Sequence, residues 1–380
     1  MEIKKVVIAC DSLKGSISSV DAACAIEKGI KAVFNSAKVV TVPIADGGEG
    51  FVDALVLAMS GEKVKFRTTG PLFESVDGYL GVTGDVAIIE MASVSGLMLI
   101  GESQRNPMKT TSLGTGELIK AALDKGLRKI IIGIGGSATN DGGIGMATAL
   151  GVKFLDASGN TVVPTGEGMG RVASIDISGL DQRILEADIR VACDVDNPLY
   201  GKNGAGYVYA PQKGADASAV KTLDSNLKAL ADVIASDMDI DIKTMSGAGA
   251  AGGLGAGLVA FLGAEIKPGI ELVLDAVGFD ALIHDADLVI TGEGRIDGQS
   301  INGKAPIGVA ARAKKANVPV IALTGAVGED YERVYEHGID AVFSISRMAM
   351  PFEQIKAFSA EFLRQTTTDI MRLIKRMGPN

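Results

Sequence analysis

The chain is poor in the residues on which several common chemistries depend. His284 and His337 are its only histidines, and no Ser–His or Cys–His spacing points to a nucleophilic triad. The three cysteines, Cys10, Cys24 and Cys193, are odd in number and far apart. They offer no disulfide framework and no zinc spacing, and read as small core hydrophobes of a reducing compartment. No stretch approaches the roughly 18 apolar residues of a membrane-spanning helix. No Lys/Arg block is long enough for a nucleic-acid footprint, and no internal repeat of solenoid period is present. The apolar run after Lys4 and Lys5 is too short for a signal peptide and reads as a first buried strand. These absences lead us to expect a soluble cytoplasmic protein with no nucleic acid or membrane partner. The net charge is −9 and the pI about 5.0. An anionic substrate must therefore be held by local cations and backbone N–H groups against an unfavourable field.

What the chain has in excess is glycine, 49 of 380 residues. The glycines cluster at 47–50, 133–145, 201–206, 247–257 and 292–303, which argues for several tight loops rather than low complexity. Between the clusters, short β-branched runs alternate with helical patterns at both ends of the chain. Strands are expected at 6–9 and 39–42, with helices at 18–34 and 50–59. Later strands are expected at 288–291, 318–323 and 341–344, with helices near 304–316 and 330–337 and a long amphipathic helix over 351–376. Such alternation implies a parallel sheet covered on both faces. Neither end has enough strands alone, so one sheet is expected to draw on both. The middle differs, with strands at 64–69, 77–83, 86–91, 129–134 and 190–193 and helices at 114–126, 216–237 and 249–263. The expected fold is α/β with two domains. Residues 1–68 plus 285–380 would form a doubly wound, flavodoxin-like parallel sheet, and 69–284 an inserted mixed-sheet domain.

The loops after the strands carry the chemistry. In GIGGSATNDGGIGM (133–146), Gly135 and Gly136 let backbone approach a ligand, and Ser137, Thr139, Asn140 and Asp141 are N-cap types. A helix starting there would offer free N–H groups to a phosphate or carboxylate. The spacing matches neither GxGxxG nor a Walker A loop. In PIADGGEG (43–50), Asp46 could orient a hydroxyl or accept its proton, while Glu49 suits a first helical turn. Lys14, at the tip of the loop from Asp11 and Ser12, is a point cation for a carboxylate or phosphate. Asp194, Asp196 and Asn197 supply oxygens at a strand end, suited to Mg²⁺ or to a base beside it. Residues 201–206 and 211–214 form a basic, Gly-rich partner loop. The segment 246–255, with Gly249 and Gly252, would serve close helix packing or the approach of adenine or phosphate. Glu293, Arg295 and Asp297 alternate after a later strand; Arg295 can clamp a carboxylate.

Taken together, the loops resemble the bacterial glycerate kinase family. The segments that carry the resemblance are DSLKGSISS (11–19), PIADGGEG (43–50), TTSLGTGELI (110–119), IGIGGSATNDGGIGM (132–146), RVACDVDNPLYGKNGA (190–205), APQKGA (210–215), GAGAAGGLGAG (247–257) and ITGEGRIDGQSINGKAPIGVA (290–310). One departure is Cys10, where proline is expected before Asp11. The resemblance implies Mg²⁺-dependent phosphoryl transfer from ATP to (R)-glycerate at the 2-hydroxyl, with the 3-phosphate as the alternative product. It also implies a two-domain fold with the active site in a cleft, and a homodimer is the candidate assembly. On this reading Lys14 or Arg295 meets the glycerate carboxylate, and Asp194 or Asp46 orients the attacking hydroxyl as base. Asp196, Glu293 or Asp297 contributes to Mg²⁺. Residues 135–141, with Gly249 and Gly252, face ATP; Asp11, Ser12, Gly47, Gly48 and Asn197 line the substrate. A dinucleotide-dependent oxidoreductase and a non-catalytic small-anion sensor are the competing classes.

Overall fold

The computed structural model describes residues 2–44, 47–301 and 303–377. In chain order the strands are β1 (Lys5–Cys10), β2 (Lys38–Thr41), β3 (Glu62–Thr69), β4 (Ser75–Thr83), β5 (Val86–Glu90), β6 (Lys129–Gly133), β7 (Lys153–Leu155), β8 (Ser174–Asp176), β9 (Asp188–Ala192), β10 (Glu265–Lys267), β11 (Leu288–Ile296), β12 (Val320–Val327) and β13 (Ala341–Ser344). The chain divides into two compact units. One comprises Met1–Asp46, Leu57–Ser60 and Ile270–Asn380; the other comprises Gly47–Val56 and Gly61–Gly269.

The first unit holds a five-stranded sheet in the order β13-β12-β11-β1-β2, every pair parallel. Numbered within the unit, this is the flavodoxin-like order 2-1-3-4-5. All six residues of β1 are buried, as expected of a strand covered on both faces. Val6, Ile8, Leu288 and Ile290 pack against helices Ser19–Lys31 and Ser359–Met377. The alternate residues Val7, Val289 and Val320 are also buried, and helix Ala305–Lys315 packs on β1, β11 and β12. The first helix starts where its cap predicts, the Ser18 hydroxyl accepting from the Asp21 N–H. The final helical stretch begins where its periodicity suggests, at Phe352, and passes through 3₁₀ geometry over Lys356–Phe358 before the long α-helix Ser359–Met377.

The second unit holds a six-stranded sheet, β10-β9-β6-β5-β4-β3. The pairs joining β5, β6, β9 and β10 are parallel, and β3–β4–β5 is an antiparallel meander. The expected architecture is therefore present: a parallel sheet drawn from both chain ends and a separate mixed sheet from the middle. Apolar residues of β5, β6 and β9 join those of helices Leu113–Asp124, Ala217–Met238 and Ala250–Leu262 in one core.

Candidate active site

In the parallel sheet the strand order reverses between β1 and β11. The loops at their carboxyl ends open on the crevice where ligands of such sheets bind. The loop after β1 runs beside the carboxyl end of β11: Asp11 N–H donates to the Gly292 carbonyl at 3.0 Å, and a Cβ added to Gly294 would lie 3.2 Å from the Lys14 backbone nitrogen. The Asp11–Lys14 loop thus lies against the Gly292–Gly294 stretch that carries Glu293, with Lys14 exposed at the tip; Arg295 and Asp297 lie further along the same segment. The Asp11 carboxylate accepts from the Ser12 N–H at 2.6 Å. Glu293 is buried and accepts from Ser300 Oγ at 2.7 Å, with Lys304 Nζ 3.5 Å from its other oxygen. Burial pushes its carboxyl above the ordinary range; Ser300 and Lys304 pull the other way. Arg295 is exposed and its Nε lies 3.2 Å from Asp297.

In the mixed sheet, loops gather at the carboxyl ends of β6 and β9. They meet backbone to backbone. Gly135 N–H donates to the Gly47 carbonyl at 3.0 Å, and a Cβ on Gly135 would fall 2.8 Å from Gly48 Cα. Only glycine permits so close an approach. Asp46 and Ala45, just before, lie outside the described residues. After β9, Asp194 and Asp196 are exposed; Asp194 Oδ1 accepts from Gly269 N–H at 2.7 Å. Asn197 is tied into its own loop, donating to the Asn203 carbonyl at 2.8 Å and accepting from Tyr209 OH.

The Gly-rich stretch 133–146 departs from the expected geometry. Its helix is Ile144–Ala149, later and shorter than the N-cap residues suggest. Asp141 occupies the would-be donors of that helix start, accepting from Gly143 N–H at 3.1 Å and Gly145 N–H at 3.3 Å. It also takes Ser112 N–H at 2.7 Å and Ser112 Oγ at 2.8 Å. Burial pushes the Asp141 carboxyl above its ordinary range, and these four donors oppose the shift. Free helical N–H groups thus do not make this an anion site. What the segment offers instead is unpartnered side chains: Thr139 Oγ1 and both side-chain polar atoms of Asn140 are buried with no hydrogen-bond partner among the described residues. Such orphans point to an ordered water or a ligand.

Gly249 and Gly252 serve packing. A Cβ on Gly252 would fall 2.0 Å from the Thr139 carbonyl, and one on Gly249 2.3 Å from that of Pro198. Three successive residues, Ala251, Gly252 and Gly253, are left-handed, which brings this segment against 139–142. Sequence reasoning missed Lys213 as a member of this group. It saw a basic loop at 211–214; the burial of the lysine against Ser137 and Thr139 depends on tertiary packing. Among the described residues no three His, Cys, Asp or Glu side chains converge on a metal position.

A doubly wound sheet with charged loops at its switch point, and a second sheet whose strand ends carry bare backbone and orphaned polar groups, define an α/β enzyme equipped for small anionic ligands. The model of the glycerate kinase family matches residues 6–375, and the chain belongs to that family. It is 51% identical over 373 residues to a glycerate kinase of Bacillus subtilis strain 168, covering 98% of each chain. It is 54% identical over 343 residues to a glycerate 2-kinase of Escherichia coli K12, covering 90% of each. A crystal structure assigned to glycerate kinase 2 of Salmonella typhimurium LT2 superimposes with a TM-score of 0.89 at 49% identity, covering 98% of this chain and 99% of that one.

Proposed function

We propose that this chain transfers the γ-phosphoryl group of ATP to the 2-hydroxyl of (R)-glycerate, giving 2-phosphoglycerate. The observation that carries this reading is the similarity, over nine-tenths of both chains, to the protein named a glycerate 2-kinase. The parallel-sheet unit is read as the discontinuous domain and the mixed-sheet unit as the inserted one. An ATP-consuming step of this kind belongs in the cytoplasm.

Phosphoryl transfer asks little covalent help of a protein; it asks for positioning and charge neutralisation. Lys14 or Arg295 meets the glycerate carboxylate, and Arg295 presents the planar fork that suits it. Asp11 and Ser12, in the same loop as Lys14, are further substrate-binding candidates, as are Gly47 and Gly48 through their backbone. Asp194 orients the attacking hydroxyl and takes its proton; the bond from Gly269 N–H at 2.7 Å holds its carboxylate in place. Asp46 is the alternative base. Glu293, buried and bonded to Ser300, either shares in proton handling or carries charge toward the metal. Residues Gly135, Gly136, Ser137, Thr139, Asn140 and Asp141 cradle the ATP phosphates, with the orphaned Thr139 hydroxyl and Asn140 amide as the groups that seek a ligand. Gly249 and Gly252 back that cradle.

Magnesium uses one or two carboxylates and completes its shell with phosphate oxygens and water, so a dense acidic cluster is not required. Asp196, an exposed hard-oxygen donor just beyond β9, and Asp297 at the β11 loop fit that demand. When bound, Mg²⁺ neutralises charge on the transferring phosphoryl group. A coupled assay of ADP release tests the reading. ADP release that depends on both D-glycerate and the purified chain supports it; no release above the glycerate-free blank contradicts it.

A further inference from the structure

Lys213 is 2% exposed, yet its ammonium is no stray surface charge. Nζ lies 2.6 Å from Ser137 Oγ and 2.6 Å from the Thr139 carbonyl. Those two bonds span the segment in which Thr139 Oγ1 and the Asn140 amide lack partners. We propose that Lys213 is the positioning residue of the phosphate cradle: its ammonium fixes the shape of residues 137–140 and lends that segment positive charge. This rests on the reading of 135–141 as the ATP phosphate site.

The argument is one of cost and compensation. Burying an ammonium costs several kcal/mol, and an apolar side chain of similar length would often pack there without loss. Two neutral acceptors offset only part of that cost. Asp141 favours the cation from nearby, but its carboxylate is already shared among four donors. Burial accordingly pulls the lysine down to about 7, so the site holds a proton loosely until an anion arrives. Among the described residues no acceptor meets the third ammonium N–H. A bound phosphate supplies the missing negative charge in a spot where water does not screen it. The 3₁₀ turn Pro211–Lys213 that carries the lysine ends at Gly214, whose φ of +96° is left-handed.

The test is a set of steady-state constants on the full chain. Lys213→Met keeps length and removes charge and donors. Its KM for ATP is expected to rise about tenfold or more, while KM for glycerate stays within about twofold. Lys213→Arg keeps the charge and is expected to recover most of the loss in KM for ATP. A folded Lys213→Met with KM for ATP unchanged overturns the inference, as does an equal rise in both KM values. If Lys213→Met does not fold, Ser137→Ala removes one of the two bonds and is expected to raise KM for ATP about threefold; no change there overturns the inference. Asn140→Ala separates the two readings. If it raises KM for ATP and Lys213→Met does not, only the role of Lys213 fails. If neither does, the cradle itself is misplaced.

Discussion

The two sheets end in loops of opposite character. At the parallel sheet the loop after β1 and the carboxyl end of β11 carry charge on side chains: Lys14 in the loop, Glu293 and Arg295 within the strand, which runs longer than the expected 288–291, and Asp297 just beyond it. At the mixed sheet the end of β6 and the 47–48 segment carry backbone, with Gly47, Gly48, Gly133 and Gly135 in close contact and neutral polar side chains buried in the loop that follows, while the loop after β9 adds the exposed carboxylates of Asp194 and Asp196. The first arrangement suits a small carboxylate, which a single fork or point cation can hold. The second suits a polyphosphate, whose many oxygens need many donors in fixed places. The contrast teaches that one chain can meet anions in two ways, by mobile charge and by rigid packing, and that the two should fail differently when altered.

The largest expected effect comes from Asp194→Asn. The amide still accepts from Gly269 N–H, so the fold should hold, while turnover should fall about 10²–10⁴-fold. A near-normal rate measured in single turnover would remove Asp194 from the chemistry. Packing comes next. Gly252→Ala places a methyl 2.0 Å from the Thr139 carbonyl at a φ of +70°, and denaturant titration should register a loss of about 3 kcal/mol or more. Gly278→Ala, with φ +63° but open space around it, should lose only about 1 kcal/mol. Equal losses would break the claim that the Gly-rich loops are close-packed. The kinetic contrast is then sharpened by two substitutions. Arg295→Ala should raise KM for glycerate about tenfold or more and leave KM for ATP alone; Asn140→Ala should do the reverse. Crossed or shared effects would dissolve the division of labour between the two loop sets.

A separate effect is a pH dependence of stability. Lys213 titrates at about 7 in the folded protein against an ordinary value of 10.5. Between those values the unfolded chain binds more protons, so stability rises with pH across that window. Below about pH 7 the full cost of the buried cation is present. Urea titrations at about pH 7 and 9 should therefore show the native chain gaining stability relative to Lys213→Met as pH rises. Parallel behaviour of the two proteins would mean that Lys213 titrates normally.

Much of this was legible in the sequence. The period of the apolar residues, with the count of strands at each end, led to one sheet built from both termini, and the register of β1 with β11 bears that out. The resemblance to glycerate kinases rested on loop motifs spread along the chain, and the family match spans the same length. Local detail was less legible. Thr139 and Asn140 looked like caps because their side chains favour helix starts, yet the turn at Gly142 and Gly143 delays the helix and Asp141 does the capping. The apolar carboxy-terminal pattern gave the helical stretch from 352 onward but not its 3₁₀ passage at Lys356–Phe358, which depends on local packing. The role of Lys213 could not be read from composition, because burial of a lysine is decided by elements more than 70 residues away in the chain.

The central claim is phosphorylation of glycerate at its 2-hydroxyl, and ³¹P NMR of the product tests it most directly. Purified protein is incubated with D-glycerate, ATP and Mg²⁺, and the proton-coupled spectrum is recorded. A product resonance split by one methine proton is the predicted result. Splitting by two methylene protons would identify the 3-phosphate and contradict the assigned position. No phosphorylated product from folded protein would contradict the activity itself.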